Sequence, residues 1–70
     1  MSPAEIIFEV VEDAECGYRA RGLGHDIFTF GATEQELRAN VHEAVMCHFD
    51  DGERPGIVRL HFIRDEVFTV

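Results

Sequence analysis

Four histidines and two cysteines are the side chains of this 70-residue sequence best suited to bind a metal or attack a substrate. Their spacing argues against both. Cys47 and His48 are neighbours on a helical stretch and point about 100° apart, so they do not share one ion. His48 and His61 can approach across a helix–sheet interface, but no Cys-x-x-Cys or His-Glu-x-x-His spacing supplies further ligands. His48 is therefore expected as a half-buried histidine and Cys47 as a small core residue. Cys16 sits in an acidic turn between Glu15 and Gly17, where negative charge disfavours a thiolate. His25-Asp26 is the best local acid–base pair, yet adjacent side chains rarely orient each other and a polar turn accounts for both. No catalytic, cofactor-binding or metal-ligating residue is expected, and the chain reads as non-enzymatic.

Composition points the same way. Fourteen acids face six arginines, there is no lysine, and the net charge is −8. Arg19, Arg21, Arg59 and Arg64 fall on strands beside Tyr18 and Phe30, which is how a single-stranded RNA platform is built. The surrounding acids repel phosphate, so the arginines are expected to pair with Glu9, Glu12 and Glu66 across strands. The charge suits either a basic protein partner or plain solubility. Two distant cysteines make no disulfide framework. The start Met1-Ser2-Pro3-Ala4-Glu5 lacks the basic residues of a signal peptide, and no run approaches the roughly 20 apolar residues of a membrane span. A cytoplasmic protein of one domain, residues 1–70, is expected.

The elements that would position these groups follow from periodicity. Ile6 to Glu12 alternates, with Ile6, Phe8 and Val10 on one side and Ile7, Glu9 and Val11 on the other. Tyr18 to Arg21 follows a short turn ending in Gly17, and Ile27 to Phe30 follows the Gly22-Leu23-Gly24-His25-Asp26 loop. Thr33 with Glu36 forms a capping box. Leu37, Val41, Ala44, Val45 and His48 recur at helical steps, and the helix is expected to end near Phe49. Asp50 and Asp51 at that end oppose the helix dipole. Asn40 either hydrogen-bonds the loop carrying Gly31 or faces solvent, and the first is expected. Ile57 to Arg64 is a fourth strand, with Val58, Leu60 and Phe62 on one side. The order is β-β-β-α-β, an α+β fold with one helix on one face of a small antiparallel sheet.

A single helix leaves the other sheet face bare, which predicts a homodimer or tetramer through that face or an edge strand. At this length only ~60% of the unfolded surface is buried, so a second copy would help. Val67-Phe68-Thr69-Val70 can pair either as an edge extension or against another copy.

Phe8 and Val10, then Gly17-Tyr18 and Ala20, Phe28-Thr29 with Gly31 and Thr33, and Glu36-Leu37, Asn40 and Glu43-Ala44 recur in the order that resembles the HicB-type antitoxin superfamily. The resemblance spans roughly residues 5–64. It implies a truncated ribonuclease H-like or double-stranded RNA-binding-domain-like fold that holds a small basic HicA-like toxin, an mRNA-cleaving protein. Two departures stand out. The DNA-binding domain that follows in HicB proteins is not expected here, nor is direct DNA binding. Leu23-Gly24-His25-Asp26 replaces the Leu-Pro-Gly-Cys turn of many relatives. The other reading is an orphan homo-oligomeric regulatory or small-ligand-binding protein, with a pocket near Tyr18, His25 and His61.

Overall fold

Strict alternation in the first strand decides the layering. In the computed structural model, which describes residues 5–15 and 17–70, β1 (Glu5–Asp13) buries Ile6, Phe8 and Val10 and turns Ile7, Glu9 and Val11 away from them. Readings that fall on residues 1–4 and on Cys16 lie outside the described residues. β2 (Gly17–Gly22) runs antiparallel to β1, with Val10 opposite Ala20. β3 (Phe28–Gly31) pairs antiparallel to β2, α1 (Glu34–His48) crosses the sheet, and β4 (Ile57–Ile63) returns to β1. The sheet order is β3-β2-β1-β4. The α+β class and the β-β-β-α-β order are those expected from sequence.

One pairing differs from the expected antiparallel sheet. β4 lies parallel to β1, from Glu5 opposite Ile57 to Val11 opposite Ile63. The helix is the crossover that makes this possible: it carries the chain back to the end of the sheet where β1 begins, so β4 starts beside Glu5. The sheet is mixed.

The helix begins as its cap residues dictate. Thr33 is extended and its Oγ1 accepts a 3.1 Å hydrogen bond from the Glu36 N–H. Only this half of the capping box forms. Leu37, Val41 and Val45 point into the sheet and join Ile6, Phe8, Val10, Ala20 and Ile27 in one core. At the other end, the Phe49 N–H closes onto the Val45 carbonyl. The electrostatic conflict at Asp50 and Asp51 has a remedy in Arg54, which donates to the Met46 carbonyl at 3.1 Å and to Asp51 Oδ1 at 2.6 Å. A cation thus sits on the negative end of the helix.

Two glycines seat the helix against the sheet. Gly17 has φ +89°, and a Cβ there would come within 2.6 Å of the Ala32 carbonyl oxygen. A Cβ on Gly31 would overlap the Leu37 backbone. The start of α1 therefore lies directly on the β2–β3 end of the sheet.

β4 escapes this cover. The helix lies closest to β3 and β2, so Val58 and Phe62 stay exposed on the helix side and Leu60 is only partly buried. Beyond β4, Val67-Phe68-Thr69-Val70 forms no strand with the chain's own sheet, and Val67 and Phe68 are 92% and 78% exposed. The radius of gyration is 13.5 Å, against about 11 Å for a compact chain of this length.

Candidate functional site

The bare face of the sheet is a band of charge pairs edged by aromatic rings. Alternation sends Glu5, Ile7, Glu9 and Val11 of β1 to this side, with Arg19 and Arg21 of β2, Phe28 and Phe30 of β3, and Arg59 and His61 of β4. Arg21 lies opposite Glu9 in register and its Nη2 donates to Oε1 at 3.2 Å. Arg19 Nε reaches Asp13 Oδ2 at 3.3 Å. Arg59 grips Glu5 with two hydrogen bonds of 3.0 Å, Nε to Oε1 and Nη2 to Oε2. That grip holds the Glu5 carboxyl below its ordinary pKa and raises that of the guanidinium.

The expected cross-strand pairing of arginines is therefore present, with Glu9 as foreseen but with Asp13 and Glu5 in place of Glu12 and Glu66. Its consequence is electrostatic. Each arginine at the centre of the sheet already has a carboxylate, so the face offers no free cationic stripe for phosphate. What it offers is apolar: Phe28 is 64% and Phe30 52% exposed on the edge strand. Together with Val11, the stems of Arg19 and Arg21 and Thr29, they line a shallow depression of 220 Å³. Exposed aromatic rings thus stand beside arginine side chains along this edge of the sheet.

The other face is held by contacts of a different kind. Tyr18 meets Phe62 edge-on at 6.1 Å between ring centroids, and burial, then Glu12 and Glu34, push its phenol pKa up. Asn40 donates from Nδ2 to the Phe30 carbonyl at 2.6 Å, one residue from the loop position expected for it.

Two histidines, His25 and His48, meet around Phe49, but neither His61 nor Cys47 joins them. His48 is exposed, not half-buried, and its ring meets His25 at 5.8 Å and Phe49 at 4.9 Å instead of approaching His61. Cys47 is also exposed, not a core residue. The two corrections have different causes: Cys47 lies about 200° around the helix from Val45 and faces away from the sheet, whereas His48 continues the stripe but lies beyond Val45, its last buried residue. His25 packs on Phe49 at 5.0 Å and forms no hydrogen bond with Asp26. The pocket expected near Tyr18, His25 and His61 does not form, because alternation places Tyr18 and His61 on opposite faces. Among the described residues no cluster of histidine, cysteine and carboxylate side chains is arranged to hold a metal. No helix there is long and apolar enough to cross a membrane.

A four-stranded mixed sheet with one helix and an aromatic-edged bare face defines a small α+β protein. The chain is 39% identical over 66 residues to a UPF0150 protein of Thermotoga maritima, covering 94% of this chain and 93% of the relative. It is 52% identical over 50 residues to a UPF0150 protein of Archaeoglobus fulgidus, covering 71% and 74%. The chain belongs to the UPF0150 family. No protein-family model matches it, and no solved structure does.

Proposed function

We propose that this protein is a non-enzymatic, acidic protein-binding module of the HicB antitoxin type, which self-associates and neutralises a small basic HicA-like toxin. The observation that carries the reading is the bare sheet face: Phe28 and Phe30 stand exposed on an edge strand while the neighbouring arginines are neutralised by their own carboxylates. Such a face gains by burying its rings against another protein and has little to offer nucleic acid. The net charge of −8 favours a basic partner, since opposite potentials speed encounter. The order of strand, glycine, capping threonine and helix residues that resembles HicB supports the same partner class. A cytoplasmic setting and the absence of direct DNA binding belong to this reading.

Co-expression with a small basic ribonuclease encoded beside this protein tests it. A stable complex and restored growth are expected, with both lost on Phe28→Asp or Phe30→Asp while the circular dichroism spectrum is unchanged. Absence of any complex, or a complex indifferent to both substitutions, contradicts the proposal.

A further inference from the structure

We infer that the tail of residues 65–70 is a docking arm for a second copy of this chain, seating Phe68 in the groove between α1 and β4, each copy filling the other's groove. The inference deepens the self-association in the proposal above and rests on it; it concerns the helix side of β4, away from the face assigned to a toxin.

The groove is an unfinished piece of core. Its floor is Val41 of the helix with Val58, Leu60 and Phe62 of β4, its rim carries Arg38 and His42, and its volume is 420 Å³. It exists because the helix covers the β3–β2 side of the sheet and leaves β4 open. β4 is also an edge, so one side of its backbone is unpaired and can receive an added strand.

The tail has the matching chemistry. Val67, Phe68 and Val70 cover nothing in their own chain, and Phe68 has no ring contact. Asp65 and Glu66 precede them, opposite in charge to Arg38 on the groove's rim. Arg38 and Arg64 are the two arginines without a carboxylate partner among the described residues, whereas the other four are paired. An apolar arm with acidic residues at its root fits an apolar groove with an arginine on its lip.

The occupant is a second copy because the chain cannot readily reach its own groove. β4 ends at Ile63, next to the groove's own Phe62. To fold back, the tail would have to reverse within Arg64-Asp65-Glu66. Asp65 is the one turn-prone residue of that run, which has no glycine, and none of the three adopts the positive φ that a two-residue hairpin turn needs. The tail instead stays clear of the rest of the chain, with Val67 and Phe68 92% and 78% exposed. A short connection that forbids return and a site that the same segment fits is the geometry of reciprocal exchange. Burying Phe68 alone removes about 150–250 Å². Two arms bury about 300–500 Å² through Phe68 alone, with Val67, Val70 and the groove walls adding toward the roughly 1,000 Å² of a specific interface.

Sedimentation equilibrium over a dilution series, on the full chain and on Phe68→Asp, Arg38→Glu, and the charge swap Arg38→Glu with Asp65→Arg and Glu66→Arg, decides the matter. A dimer is expected for the full chain. Phe68→Asp should weaken it at least about tenfold. Arg38→Glu should weaken it several-fold, and the swap should restore it. Phe68 is exposed in the single chain, so unchanged circular dichroism separates lost docking from lost folding. A monomer at all concentrations overturns both the inference and the self-association on which it rests. A dimer indifferent to Phe68→Asp overturns the docking arm alone and leaves self-association through another surface.

Discussion

The side-chain amide of Asn40 ties the helix to the carbonyl of Phe30, at 2.6 Å, across the outer edge of the sheet. Phe30 lies on β3, an edge strand of four residues, and this bond fixes the backbone from which its exposed ring projects. Replacing Asn40 by alanine forfeits about 0.5–1.5 kcal/mol of hydrogen bonding but recovers roughly 0.5 kcal/mol of helix propensity. Asn40→Ala should therefore be mild in urea unfolding. Asn40→Asp should be clearly worse, because a carboxylate cannot donate to a carbonyl and meets it with like charge. Equal losses for the two would show that the bond does not matter.

Gly31 predicts a sharper loss. A Cβ there overlaps the Leu37 backbone at the first turn of α1, and neither the strand nor the helix can yield without disturbing Leu37, which is fully buried. Gly31→Ala should destabilise the fold by about 1–3 kcal/mol, the usual cost of overpacking. Thermal unfolding measures it. A melting temperature equal to that of the parent protein would refute the close approach.

Stability on the acid side should depend on Glu5. The hydrogen bonds from Arg59 come first among the causes that lower its pKa, followed by partial desolvation acting in opposition and by the charge of Arg59 acting with them. A carboxyl depressed in the folded state adds stability that is present above its ordinary value of 4.5 and lost as pH falls through its folded value. Arg59→Met should flatten the fall in unfolding free energy over that range. It should also return the Glu5 carboxyl shift, followed by NMR, to the ordinary titration.

On the alkaline side the reporter is built in. Tyr18 is the sole tyrosine and there is no tryptophan, so phenolate absorbance reads one residue. Burial, then Glu12 and Glu34, raise its pKa above 10.0. The folded state favours the neutral phenol, so this stabilisation is complete below 10.0 and disappears as pH rises through the folded value. The native midpoint should exceed the midpoint in urea, and Glu12→Gln should bring the two closer. Coincident midpoints would contradict the packing of Tyr18 on Phe62.

Local signals carried most of this architecture. Thr33, Glu36, Leu37, Val41 and Val45 define the helix and its buried stripe within thirteen residues, and Ile6, Phe8 and Val10 define the covered face of the sheet within five. What escaped the sequence is what depends on residues far apart. The parallel pairing of β4 joins Glu5 to Ile57 and has no local signature. The exposure of Cys47 was legible in its helical phase, opposite the stripe; that of His48, which continues the stripe, depends on where the core ends, which helical spacing does not encode. The same holds for Arg54: its neighbours announce a turn, but its service to the Met46 carbonyl requires the chain to come back across the helix end.

The central position of β1 also sets the order in which this molecule can be completed on the ribosome. Its first described strand has to wait for its last, since Glu5 to Val11 find their neighbours on one side only after residues 57–63 have been synthesised. Until then the nascent chain holds a three-stranded meander with α1 on it and one edge of β1 unpaired. A contact spanning so much of the chain is slow to close, and the interval between emergence and closure is when chaperones would have most to protect.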